Sequence, residues 1–242
     1  MIWTTTPWTI PGNRAVAYGE QFDYGVYQVE EIDEESTAVV GEKLVIGCAL
    51  AEEVEKAAKI TKMRQIGSIK GADFSEAILS HPLRGSGFDF NVPMLPADFV
   101  TLEQGSGFVH IAPGAGSDDF ELGLEHGLEV VTNVDDSGKF YDHIPLVAGM
   151  DVIKDNYQIA MIVKKAGALV ALGRLTHSYP HSWRSKAPLI FRTTPQWFIS
   201  METNDLRKSA LSAIDDTRFI PERGHTRLKT MIQQRPDWCV SR

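Results

Sequence analysis

Short runs of β-branched and aromatic residues, separated by glycine, proline or acidic residues, dominate the first half of the sequence. These runs lie at residues 22–29, 38–46, 63–70, 91–95, 98–102 and 107–111. Their composition predicts β-strands. The regular alternation of strand and helix that builds a doubly wound parallel sheet is missing. We therefore expect an α+β fold, with a strongly bent, β-barrel-like core and peripheral helices.

Helix signals are interspersed among these runs. Residues 49–59 are rich in helix formers. Ser117 is placed to cap a helix that runs to His126, and Gly127 follows directly after its end. Further helices are predicted at 151–166, 203–214 and 225–234, and further strands at 168–174 and 187–193.

The composition is that of an ordinary globular protein, with 242 residues, 43% hydrophobic residues and a mean hydropathy of −0.15. No stretch approaches the roughly 18 unbroken apolar residues of a membrane span. The segment from Met1 to Thr5 lacks the basic and apolar parts of a signal peptide. Cys48 and Cys239 are too few for a disulfide framework or a four-ligand zinc site. We expect a cytoplasmic protein with no membrane partner.

The net charge of −8 conceals an uneven distribution along the chain. Residues 1–160 hold 10 Lys and Arg against 26 Asp and Glu, whereas residues 161–242 hold 14 against 6. Such a basic third can face the phosphates of a nucleic acid, although composition alone favours an ordinary solvated surface. Its cationic side chains include Arg174, Arg184, Lys186, Arg192, Arg207, Lys208, Arg223, Arg227 and Lys229.

The first candidate site is the segment WTTTPWTIPGN, from Trp3 to Asn13. Its hydroxyl and amide groups both donate and accept hydrogen bonds, two prolines stiffen the backbone, and Trp3 and Trp8 offer flat apolar faces. This combination suits a neutral ligand that carries a sugar or a base. An edge strand whose threonines are simply β-formers is the structural alternative.

The second candidate site is the segment GSGFVHIAPGAGSDDF, from Gly105 to Phe120. A strand delivers His110, a loop with Gly114 turns tightly, and a helix opens with Asp118 and Asp119. A helix N-terminus favours ionised carboxylates, which can seat an ammonium group. Ordinary helix capping with a buried core histidine is the alternative. A phosphate-binding loop fits less well, because the lysine of such loops is absent.

The third candidate site is the block HSYPHSWR followed by TPQWFISM. His177 and His181 have a spacing that zinc sites use, but two more ligands would have to come from elsewhere. A packed scaffold with an RNA-facing edge is the more plausible interpretation. No GxSxG motif is present and neither cysteine has a base beside it in sequence, so we expect water to be the nucleophile if the chain is a hydrolase.

Together with the final string RPDWCVSR, these motifs closely resemble, in order and spacing, the editing domain (connective polypeptide 1) of bacterial-type isoleucyl-tRNA synthetases, a class I family. The resemblance covers essentially the whole chain. It implies one editing domain over residues 1–242, cut from a longer synthetase. Residues 1–200 would be the editing core, and 201–242 a segment returning towards the catalytic domain. The class I ATP-binding signatures HIGH and KMSKS are absent.

The resemblance also implies roles for individual residues. Asp119 matches the aspartate that holds the α-ammonium of the misattached amino acid, and His110 matches the histidine that excludes isoleucine from the side-chain pocket. The threonine-rich strand would line the pocket, and Gly114 lies in the loop beside it. Ala115 departs from the bulkier residue of many relatives. The remaining pocket residues implied are Thr4, Thr5, Thr6, Thr9, Trp3, Trp8 and Asn13.

The activity implied is hydrolysis of valyl-tRNA(Ile) and of valyl-adenylate without metal or organic cofactor. The parent synthetase would use ATP and magnesium to charge tRNA(Ile), whose acceptor 3′ end is the expected partner together with the rest of that enzyme. Three alternatives stay open. They are a valyl-type editing domain that clears threonine, a non-catalytic tRNA-binding module, and a metallohydrolase built on His177 and His181.

Overall fold

The computed structural model describes residues 1–241, which divide into two compact units. The first unit runs from Met1 to Thr193, and the second begins at Thr194. The strands are β1 Ala15–Tyr18, β2 Asp23–Ile32, β3 Lys43–Gly47, β4 Ile60–Lys70, β5 Ile78–Ser80, β6 Asn91–Pro96, β7 Phe108–Ile111, β8 Phe198–Ile199 and β9 Trp238–Cys239. The helices are α1 Ala51–Ala57, α2 Ser117–Glu125, α3 Asn156–Lys165, α4 Leu206–Asp215 and α5 Arg223–Gln233.

A four-stranded mixed sheet, in the order β5-β6-β1-β7, organises the first unit. β1 runs parallel to β6 and antiparallel to β7, while β5 and β6 are antiparallel. Ala15 at the start of β1 pairs with Ile111 at the end of β7, and Ser80 at the end of β5 pairs with Asn91 at the start of β6. These four positions therefore share one end of the sheet, which we call the upper end.

A second, antiparallel sheet in the order β3-β2-β4 lies in the same unit, and Tyr24 on β2 connects the two sheets. Its ring stacks on Phe108 of β7 with 4.4 Å between ring centroids. Its hydroxyl accepts a hydrogen bond from the Gly19 amide (3.0 Å) and donates one to the Gly107 carbonyl (2.9 Å). Tyr18 lies in the same aromatic cluster and is equally buried, but its hydroxyl has no partner.

The second unit pairs α4 with α5 beside the short β8–β9 ribbon. The Arg207 guanidinium of α4 donates to the carbonyls of Ile232 (2.6 Å) and Gln233 (3.1 Å) at the end of α5. Cationic donors stabilise the last, unpaired carbonyls of a helix. The boundary after Thr193 lies near the predicted one, but the assignment of editing core and return segment stays a prediction.

The predicted mixture of sheets and peripheral helices is confirmed, whereas the barrel-like closure is not: no sheet in residues 1–241 closes on itself. The strands predicted at 98–102, 168–174 and 187–193 are wrong, because these segments make no ladder. In the last of them, Pro188 removes an amide donor and forms only an isolated bridge. No helix in the same residues is long and apolar enough to cross a membrane.

The two core tyrosines provide a matched test of the packing between the sheets. We expect Tyr24→Phe to lower the free energy of unfolding by about 1–3 kcal/mol, because it leaves a buried amide and a buried carbonyl without a partner. Tyr18→Phe should leave stability unchanged or raise it, because it removes a buried hydroxyl that bonds to nothing. Urea unfolding measures both, and equal losses in the two variants would contradict this account.

Candidate functional site

The Pro7–Gly12 segment forms a 3-10 turn that leads into β1 at the upper end of the sheet, so the strand expected for the threonine-rich motif is wrong. Pro7 and Pro11 explain the difference, because proline holds φ near −65° and has no amide to donate to a ladder. Thr9 closes the turn: its amide (2.9 Å) and its hydroxyl (2.8 Å) both donate to the Thr6 carbonyl.

A buried hydrogen-bond network joins this turn to β7. The Thr9 hydroxyl lies 2.8 Å from Nε2 of His110, and the Asn13 side-chain amide lies 3.2 Å from its Nδ1. Since the Thr9 proton goes to the Thr6 carbonyl, Nε2 of His110 must be the donor to Thr9. Nδ1 then accepts from Asn13, whose amide also donates to the Ala15 carbonyl (2.9 Å). The network thus selects the Nε2-protonated tautomer.

The His110 ring is held neutral as well as fixed. Only 9% of the residue is exposed, and burial lowers the pKa of His110 to about 4. Both of its ring nitrogens already have partners in the chain. A ring in this state neither shuttles protons near pH 7 nor rotates easily, so it is a rigid, uncharged group.

Asp119 lies in the first turn of α2 and folds back on the preceding loop. Its Oδ2 accepts a hydrogen bond from the Ala112 amide at 2.8 Å. Burial raises the pKa of Asp119 above its ordinary value. A helix N-terminus on its own would lower this pKa, because it favours the ionised carboxylate. Gly116, rather than the predicted Ser117, occupies the N-cap, and a Cβ there would stand 3.1 Å from the Asp119 carboxyl carbon. The glycine therefore permits this close approach.

A small cavity of about 20 Å³ lies beside the network and has room for one water molecule. Its lining residues are Trp8, Thr9, Gly12, Ala112, Gly114, Ala115, Val131, Asn133, Val134, Phe191, Arg192 and Thr193. Of the predicted site residues, Thr9, Trp8 and Gly114 line this cavity, whereas His110, Asp119 and Asn13 do not. A Cβ at position 114 would come within 2.3 Å of the Val131 carbonyl oxygen, so only glycine fits there.

The other residues of the threonine motif lie outside this cavity. Thr4 and Thr6 bond to each other, with 3.2 Å between their hydroxyl oxygens, and Thr5 is exposed. Trp3 is 46% exposed and lies near Gly105. Sequence reasoning missed part of the cavity wall, which includes Asn133, Arg192 and Thr193, since no local pattern distinguishes these residues. The hydroxyls of Thr132 and Thr193, 2.6 Å apart, hold that wall together.

His177 and His181 are both exposed, and each lies with Nδ1 within hydrogen-bond distance of a nearby backbone carbonyl. Across the part of the chain that the structure describes, no group of three or more His, Cys, Asp or Glu side chains is arranged to hold a metal ion.

Comparison with known proteins assigns the chain to a class. The family model described as tRNA synthetases class I (I, L, M and V) matches residues 9–242, and the chain belongs to this family. The crystal structure of GlLeuRS-CP1 shares its fold, with a TM-score of 0.50 at 14% sequence identity. The match covers 74% of this chain and 83% of that one.

Within the class, the similar curated relatives are isoleucine–tRNA ligases. The chain is 49% identical over 242 residues to that of Pelagibacter ubique (strain HTCC1062), and 44% identical over 254 residues to that of Gluconobacter oxydans (strain 621H). Each match covers the whole chain and 26% of the relative, so the chain spans about a quarter of their length. The resemblance to the isoleucyl branch is confirmed.

The buried histidine predicts a specific pH dependence of stability. Because the pKa of His110 is lowered from 6.5 to about 4, the unfolded chain binds a proton in this interval that the folded chain does not. Stability is therefore fully present above about pH 6.5 and decreases as the pH falls towards 4. When the pH is lowered from about 7 to about 4.5, the free energy of unfolding should decrease in both proteins. We expect this decrease to be about 2–3 kcal/mol smaller in His110→Asn than in the wild type.

The control is His126→Asn, which changes an exposed histidine at the end of α2. Its unfolding free energy, measured in urea at each pH, should follow the wild-type curve. Parallel curves for His110→Asn and the wild type would show that His110 is not held neutral by the fold.

Proposed function

We propose that this chain is the editing portion of an isoleucine–tRNA ligase and hydrolyses the ester of valine misattached to tRNA(Ile). Valyl-adenylate is the second substrate in this proposal. Residues 1–200 then form the editing core, and residues 201–242 return towards the catalytic part of the enzyme. The partners are the acceptor 3′ end of tRNA(Ile) and the remaining three quarters of the ligase.

One observation supports this proposal above the others: Thr9 both lines the cavity and bonds to His110. The threonine motif and the histidine motif are 101 residues apart in the sequence, yet they meet through this hydroxyl. Asp119 follows on the same loop and helix. In this proposal, these segments supply the groups that an aminoacyl ester requires.

A second site is needed because an isoleucine pocket cannot reject valine strongly. Isoleucyl-tRNA synthetase is itself the known example of this limit, in which one methylene is worth only about 1–3 kcal/mol of discrimination. A pocket that excludes the larger side chain by steric overlap works in the opposite direction. His110 suits this role because it is rigid, uncharged and packed behind Thr9.

Asp119 orients the substrate in this mechanism. One carboxylate oxygen is bonded to the Ala112 amide, which leaves the other to pair with the substrate α-ammonium. The arriving cation favours the ionised carboxylate and offsets the burial that raises its pKa. A charge-assisted pair of this kind fixes the ester carbonyl relative to the threonine hydroxyls.

Water is the nucleophile in the proposed reaction. Its oxygen bonds to the ester carbonyl carbon, the bond from that carbon to the ribose oxygen breaks, and a proton passes to the ribose oxygen. The products are valine and tRNA with a free terminal hydroxyl. The hydroxyls of Thr4, Thr5 and Thr6, together with the neighbouring ribose hydroxyl, position the water and stabilise the developing oxyanion. Thr9 shapes the pocket instead, because its proton is already donated to the Thr6 carbonyl. No metal or organic cofactor is needed for these steps.

The role of Asp119 is tested by deacylation of valyl-tRNA(Ile) with the full-length ligase. We expect Asp119→Asn to lower the rate roughly 10- to 100-fold, because a hydrogen bond to a charged group contributes about 1.5–3 kcal/mol. The asparagine oxygen still accepts from Ala112, so this loss reports the charge. Glu121→Ala, an exposed position on the same helix, is the control. Undiminished hydrolysis by Asp119→Asn and Asp119→Ala would refute the assigned role.

The role of His110 is tested on the correctly charged product. We expect His110→Ala to make the full-length ligase hydrolyse isoleucyl-tRNA(Ile), because the wall that limits the pocket is gone. His126→Ala should leave that ester intact. If His110→Ala still cleared only the valyl ester, the steric role would be wrong. If the wild type cleared threonyl esters instead of valyl esters, the site would be of the valyl type.

A further inference from the structure

His81 is a buried histidine that the proposed reaction does not use. It follows β5 at the upper end of the sheet and is only 2% exposed. Its ring stacks on Phe88, with 4.8 Å between centroids and 12° between planes. Phe90 packs against a second side of the ring, at 5.2 Å. A polar ring that is buried in this way destabilises the folded state unless its nitrogens form hydrogen bonds.

Both ring nitrogens of His81 have backbone partners that define its protonation. The Leu83 amide donates to Nδ1 at 3.1 Å, so Nδ1 is an acceptor. Nε2 therefore carries the proton and donates it to the Ile10 carbonyl at 3.0 Å. Burial and the nearby Arg14 guanidinium lower the pKa of His81, which keeps the ring in this neutral form. The ring cannot rotate without losing both bonds.

The carbonyl that His81 holds lies inside the turn that carries Thr9. The Ile10 carbonyl oxygen also accepts a hydrogen bond from the backbone amide of Asn13 at 3.0 Å, so it has two donors. Ile10 stands between Thr9 and Asn13, the two residues that bond to His110. Short 3-10 turns have weak internal hydrogen bonds, and Pro7 and Pro11 contribute no amide donor to this one. The Ile10 carbonyl thus has one donor within the segment, the Asn13 backbone amide, and one from outside it, which is His81.

We propose that His81 is a positioning residue of the editing site, which acts by fixing the Ile10 carbonyl and thereby the grip of Thr9 and Asn13 on His110. The consequence for editing rests on the function proposed above. Loss of the bond to Ile10 loosens the wall that His110 forms, so both the rate on the valyl ester and the rejection of the isoleucyl ester decline.

Two conservative variants separate the two bonds of His81. In His81→Gln the side-chain amide nitrogen takes the place of Nε2 and still donates to Ile10. In His81→Asn the side-chain oxygen takes the place of Nδ1, so the bond from Leu83 is kept and the bond to Ile10 is lost. Each variant retains one of the two bonds, so a purely structural role predicts similar behaviour.

The experiment measures deacylation of valyl-tRNA(Ile) and isoleucyl-tRNA(Ile) by the full-length ligase and these two variants. We expect His81→Gln to match the wild type. His81→Asn should lower kcat on the valyl ester about 10-fold with little change in KM, and raise the isoleucyl-to-valyl ratio of rates about 10-fold. Thermal unfolding midpoints identify any variant that has lost its fold.

The outcomes distinguish the two proposals. If the wild type clears the valyl ester but His81→Asn keeps the wild-type rate and selectivity, the positioning role is overturned and the proposed function stands. If the wild type clears no valyl ester, the proposed function fails and the positioning role fails with it.

A further measurement needs no variant: with 15N-labelled imidazoles, the Nε2 proton of His81 should exchange slowly with solvent. Fast exchange of that proton would also overturn the positioning role.

Discussion

The hydrogen bond between Thr9 and His110 is the contact on which the rest of the site depends. It is buried, it joins a 3-10 turn to a β-strand, and it selects one tautomer of a ring that burial keeps neutral. Inside a protein, leaving a buried polar group without a hydrogen bond destabilises the fold by more than one such bond stabilises it. The fold therefore has to keep the whole chain of donors intact, from Asn13 through His110 and Thr9 to the Thr6 carbonyl.

The topology of the four-stranded sheet explains why these groups meet. β1 is parallel to β6 and antiparallel to β7, while β5 is antiparallel to β6. The start of β1 and the ends of β5 and β7 therefore lie at the same end of the sheet. The turn with Thr9 precedes β1, His81 follows β5, and His110 lies at the end of β7. Residues widely separated in sequence are thus brought to one end of the sheet. The helix that carries Asp119 begins a few residues beyond.

The sequence indicated the motifs of this site but not how they are linked. His110, Asp119, Gly114 and the threonine segment were identifiable because each stands in a dense, unusual string. The 3-10 turn was not, because β-forming threonines outweighed the two prolines in the expectation of a strand. Sheet closure depends on long-range pairing that local composition does not encode, and the barrel-like core is accordingly not confirmed.

Part of the cavity wall was missed for a different reason. Asn133 and Thr193 reach the cavity through loops, which carry no periodic signal. His81 was overlooked because a histidine after a short strand is unremarkable until its two backbone partners are seen. In each case the information lies in tertiary contacts between segments that are far apart in sequence.

The most direct measurement of the central claim is a crystal structure with a nonhydrolysable valyl-adenosine analogue. The account predicts the valyl side chain against Thr9 and the His110 wall, and the ammonium on the Asp119 carboxylate. The tautomer of His110 should be unchanged. An analogue bound on another surface, with the His110 network and the Asp119 carboxylate untouched, would contradict the account.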